Sequence, residues 1–128
     1  MTMPKFNRAA AWNNNHGATA VEFAIVAPVL VGLVVGSLYL CMGLFLAGSL
    51  QFAVEEGARC ASVSTSTCHD ATSITTYARS RYFGPAVSPT FTYAAAACGN
   101  SVSASVNYVA DLGFNTVTIP ISATACFP

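Results

Sequence analysis

The chain has 128 residues, room for one domain; 54% of them are hydrophobic, 8% are charged, and the formal net charge is zero. Five basic residues spread along that length make no positive field, which excludes nucleic acid as a partner. The apolar share exceeds that of an ordinary soluble domain, and it is concentrated in one segment.

The first element, residues 1–17, is a polar leader. It carries Lys5, Arg8 and the terminal amine but no acid, and its Asn13, Asn14 and Asn15 favour no regular structure. Residues 18–62 then read as one long helix. From Phe23 to Val54 there is no Asp, Glu, Lys or Arg. A membrane crossing needs only about 20 apolar residues, so this run can span a bilayer and continue as helix beyond it. It is far longer than the apolar core of a secretory signal. Basic residues before the run and Glu55 and Glu56 after it orient the N-terminus to the cytoplasm. Pro28 removes one helical hydrogen bond, which membrane helices tolerate. Gly32 and Gly36 stand at GxxxG spacing, suited to close helix–helix packing.

Residues 63–128 form the predicted extracytoplasmic domain. A Ser/Thr-rich loop leads to a short helix with Asp70 as its N-cap. Ile74, Tyr77, Ala78 and Tyr82 line one face of it, and Gly84 and Pro85 end it. Three strands follow with period-two alternation. Phe91 and Tyr93 open the first. Val102, Ala104, Val106 and Tyr108 share a face of the second. Val117, Ile119, Ile121, Ala123 and Ala125 share a face of the third, after a turn at Ala110 to Gly113. Pro120 marks the last strand as an edge. The predicted class is therefore α+β: a long N-terminal membrane helix, a short helix and a three-stranded antiparallel sheet.

Of five cysteines, Cys41 lies in the apolar run and four lie in the exported part, where disulfides persist. A hairpin turning at Leu112 sets Cys98 opposite Cys126 as one bridge. Cys60 and Cys68 remain for the other. Sites for other chemistry are sparse. His69 beside Cys68 is one pair, short of the four ligands a structural metal site takes. Asp70, Asp111, Glu55 and Glu56 form no acid–base pair, and no phosphate-binding glycine loop is present. No enzyme, cofactor or metal is expected.

Glu22 is the one acid at the start of the apolar run. One reading is a capping box, Thr19-x-x-Glu22, at a helix start. The other comes from its surroundings: Gly17 ends a basic leader, Ala18 follows it, Glu22 stands fifth after Gly17, and Phe23 comes next. This pattern resembles the prepilin-peptidase site of type IV pilin-like proteins. The run GATAVEFAIVAPVLVGLVVG, with EEGARCASV closing the helix and NTVTIPISATACFP ending the chain, is similar to TadE-like minor pilins of the Tad (Flp) pilus. The resemblance implies cleavage between Gly17 and Ala18. It implies a role in assembly for Glu22 and Phe23, with Glu22 pairing with the new Ala18 amine and so fixing axial register. It also implies prepilin peptidase, other Tad pilins, platform proteins and inner-membrane lipid as partners. The alternative is an uncleaved single-span membrane protein with a small extracytoplasmic binding module.

Overall fold

The computed structural model describes residues 16–128. Met1 to Asn15, including Lys5 and Arg8, fall outside the described residues, and most of the expected leader lies there. The described chain is α+β in the order α1 (His16–Val63), α2 (Ala71–Arg81), β1 (Thr90–Ala96), β2 (Gly99–Asp111), β3 (Thr116–Phe127).

α1 is continuous through Pro28, and it has two different surfaces along its length. Up to Leu38 its large apolar side chains, Val21 to Leu38, are all exposed. This part is long and apolar enough to cross a membrane. From Leu46 onward a buried stripe appears: Leu46, Ser49, Leu50, Ala53, Val54 and Ala58. Its three- and four-residue spacing is that of one helical face, and that face carries the small domain.

The domain, Leu38 to Pro128, packs both α2 and the sheet on this stripe. At Gly57 the helices approach so closely that a Cβ would sit 2.8 Å from the Ala78 Cβ. The sheet order is β1-β2-β3, antiparallel throughout. Phe91 lies opposite Ala104, Tyr93 opposite Val102, and Ala123 opposite Ala104 on the third strand. These form the inner face, and Val102 is completely buried against α1 and α2 side chains in one core. Ser103 and Thr124 face outward, their hydroxyls 3.1 Å apart.

The hairpin register differs from the sequence-based expectation. The loop is Leu112 to Asn115 rather than Ala110 to Gly113, closed by Leu112 N–H donating to the Asn115 carbonyl at 2.9 Å. Asp111 accepts from the Gly113 N–H at 2.9 Å, and Gly113 takes φ +80, a left-handed conformation natural to glycine. This side-chain closure draws the turn toward β3. Cys126 therefore stands opposite Ser101, and Cys98 lies off the strand, in the turn between β1 and β2. Cys98 is nonetheless bonded to Cys126, and Cys60 to Cys68; Cys41 is free and exposed.

α2 starts on a reciprocal cap. Ser73 N–H donates to Asp70 Oδ1 at 2.6 Å, and Asp70 N–H donates to Ser73 Oγ at 3.1 Å. The Ser73 backbone bond, helped by its hydroxyl, holds the Asp70 carboxyl below the ordinary aspartate range. A depressed folded-state pKa stabilises the fold above the unfolded value, about 3.9, and that contribution is lost as pH falls through the folded value. Asp70→Asn keeps a competent cap without the charge. It is expected to reduce the fall in melting temperature between neutral pH and pH below the aspartate range. Circular dichroism of the full chain in detergent reads this; identical acid slopes for the two proteins would refute it.

Candidate functional site

The residues with the most unusual placement are at the start of α1. Among the described residues α1 runs from His16, with Gly17 and Ala18 within it. Among the described residues nothing lies within 4 Å of where a Gly17 Cβ would be. Thr19 lies inside the helix rather than at its N-cap. In the uncleaved chain Thr19 and Glu22 therefore do not form a capping box, because the helix extends a turn further back than that motif requires.

Ala18 and Glu22 are four residues apart on one helix, which places them as neighbours on one face. Glu22 is exposed, and Phe23 beside it is 73% exposed. Gly32 and Gly36 likewise have nothing within 4 Å of a would-be Cβ. This end of α1 thus offers a carboxylate, an aromatic ring and two flat glycine positions to whatever surrounds it. Such a surface can pair, pack and insert; it holds no nucleophile–base arrangement.

Among the α1 glycines the one in close contact within the domain is Gly57, which the sequence did not single out. A second missed group is Tyr39. Its hydroxyl donates to the Asp111 carbonyl, and its own carbonyl accepts from the Tyr108 hydroxyl at 3.3 Å. A tyrosine inside a charge-free helix was the available signal, since a buried or interfacial hydroxyl seeks a partner.

Elsewhere the polar chemistry is local. His69 and Asp70 approach to 3.7 Å on an exposed surface. Arg81 Nη2 donates to the Tyr77 hydroxyl at 2.8 Å, and its guanidinium lies 4.7 Å from the Tyr77 ring centroid. No cluster of three or more His, Cys, Asp or Glu able to hold a metal occurs among the described residues. Burial raises the Tyr82 hydroxyl pKa, and that hydroxyl donates to the Pro85 carbonyl at 2.8 Å, fixing the turn after α2.

Residues 17–59 match the family model of TadE-like proteins. The matched segment runs from the glycine at the start of α1 to the arginine beside Cys60, and so includes Glu22, Gly32 and Gly36. No curated protein and no solved structure matches the chain.

Proposed function

We propose that this TadE-like chain is a structural minor pilin of a Tad (Flp) adhesion pilus, matured by prepilin peptidase between Gly17 and Ala18. The observation that carries the reading is the Gly17–Glu22 spacing at the head of a charge-free helix, inside the segment that matches the TadE-like family. Residues 1–17 are then a cytoplasmic leader, 18–62 the assembly helix with its first part in the inner membrane, and 63–128 a disulfide-stabilised extracytoplasmic domain. The role is structural rather than catalytic. Its partners are the peptidase, other Tad pilins and the proteins of the assembly platform.

The physical logic runs through charge. A carboxylate in hydrocarbon costs about 2.5–3.5 kcal/mol on insertion scales. Cleavage creates an amine at Ala18, one helical turn from Glu22 in the same subunit and equally available to a neighbour's Glu22. Pairing offsets the insertion cost, and a pairing between subunits exists in one axial register only. Gly32 and Gly36 let neighbouring helices approach closely in that register.

The test is N-terminal sequencing of protein purified from membranes with and without the peptidase. The mature chain is expected to begin at Ala18 only when the peptidase is present. Gly17→Leu places a bulky side chain at the cleavage site and should leave the leader attached. An intact N-terminus in the wild type would favour an uncleaved single-span protein with a binding module.

A further inference from the structure

The apolar surface not used by the core collects at one end of the domain. Phe114, in the β2–β3 loop, is 89% exposed, and Leu112, Val109, Val117 and Ile119 around it are exposed as well. Two of these, Val117 and Ile119, are on the inner face of the sheet, opposite Ala110 and Tyr108. Neither is buried by the core. Beneath them lies an apolar groove of about 410 Å³, between Leu40, Gly43 and Leu44 of α1 and Tyr108 and Ile121 of the sheet.

The position of this end along the chain decides what covers it. Tyr39 ties the hairpin to α1 through its bond to the Asp111 carbonyl, and Tyr108 reinforces the tie. The residues from Ala18 to Leu38 number about 20, the length that crosses the hydrocarbon core. A helix that has just crossed therefore leaves the bilayer at Tyr39, and whatever is bonded there is at the leaflet surface. Tyrosines with polar tips are the residue type suited to that boundary.

We infer that the end of the β2–β3 hairpin is a second membrane contact, in which Phe114, Leu112, Val117 and Ile119 enter the leaflet from which α1 emerges and acyl chains fill the groove beside Leu40 and Gly43. The inference rests on the reading of α1 as membrane-spanning. Two observations favour lipid over a second copy of the chain. The apolar side chains surround the hairpin end on several sides, and a bilayer covers a projection from all sides whereas a protein partner covers one face. From Ala104 to Pro128 the only charged residue is Asp111, whose carboxylate accepts from the Gly113 N–H, so a protein partner would find there no cation and a single carboxylate to match. A small contact of this kind fixes the domain against the membrane surface before any assembly.

The test uses the full chain in phosphatidylcholine vesicles, with Trp12→Phe as background and a single tryptophan introduced by Leu30→Trp, Ala95→Trp or Phe114→Trp. Lipids brominated near the headgroup, lipids brominated near the terminal methyl and aqueous iodide serve as quenchers. The Phe114→Trp variant is expected to emit at shorter wavelength than Ala95→Trp. It should be quenched by the shallow-brominated lipid and be shielded from iodide, at every protein-to-lipid ratio. Ala95→Trp, on the exposed far end of β1, should respond to iodide alone. Emission and quenching of Phe114→Trp like those of Ala95→Trp overturn the inference. So does shielding that disappears on dilution in lipid, which would identify a second copy as the cover. Leu30→Trp reports separately on the span: if deep bromine fails to quench it, the membrane-spanning reading itself is wrong.

Discussion

Glu22→Gln is expected to insert into membranes, to be cleaved after Gly17, and to be nearly absent from assembled pili. Glutamine preserves size and hydrogen bonding but removes the charge, so in an assembled filament the Ala18 amine would be left without its partner. Removing one member of a buried ion pair costs about 3–5 kcal/mol, which is roughly a hundredfold or more in an equilibrium. The two readings of Glu22 predict opposite results. Glutamine could replace glutamate in a capping box, and a helix beginning at Thr19 would make the substitution harmless. In the uncleaved chain Thr19 lies inside α1 and does not cap it; in the cleaved chain, which starts at Ala18, incorporation of the variant decides between cap and ion pair. The measurement is the amount of variant in sheared pili relative to total membrane protein. Incorporation equal to wild type would discard the pairing mechanism.

Cys126→Ser, which breaks the Cys98–Cys126 bridge, is expected to destabilise the domain more than loss of the Cys60–Cys68 bridge. The Cys98–Cys126 bridge spans 28 residues, against 8 for Cys60–Cys68. In the chain-entropy account these separations correspond to about 3.5 and 2.5 kcal/mol. The larger value falls on the thinner part of the molecule. Beyond this bridge the end of β3 is secured by its pairing with β2 and by Ser62 Oγ donating to the Phe127 carbonyl at 3.3 Å. Gly99 beside Cys98 adds a constraint: it takes φ +117, and a Cβ there would fall 2.3 Å from the Phe127 carbonyl oxygen. Urea unfolding of the full chain in detergent, under non-reducing conditions, should rank Cys126→Ser below Cys60→Ser in midpoint. The reverse order would show that loop closure is not the controlling term.

Much of the fold could be read directly from residue patterns, because each element carried its own period. The charge-free run from Phe23 to Val54 specified a helix, and the alternation from Val102 to Ala125 specified two strands with named inner faces. The register was misread for an instructive reason. Placing Cys98 directly opposite Cys126 also places Val102 opposite Ser122, an inner residue against an outer one. The alternation of Val102, Ala104 and Val106 with Ile121, Ala123 and Ala125 already forbids that. The observed pairing, Val102 with Ala125, keeps both inner faces together, and the disulfide reaches diagonally from the turn. The Gly17–Glu22 spacing was visible as a motif, but the meaning of Thr19 depended on where the helix starts, which a polar leader does not mark. Tyr39 stood out only as a hydroxyl in a charge-free helix, and Gly57 not at all. Their partners, Asp111 and Tyr108 for one and Ala78 for the other, are brought near only by the fold.

Pro120 has a consequence for how copies of this chain can meet. β3 is an outer strand of the sheet, and Pro120 pairs with Asn107 there without an N–H of its own. In a regular ladder such a residue turns its nitrogen away from the neighbouring strand, toward the open side. A strand arriving from another molecule would find a donor missing near the middle of β3, with a pyrrolidine ring in its place. Runaway strand-to-strand aggregation, a hazard for any open sheet held at high local concentration on a membrane, is obstructed at that point. Growth by sheet extension is disfavoured along this edge, so copies of the chain that meet at β3 do not extend one another's sheet.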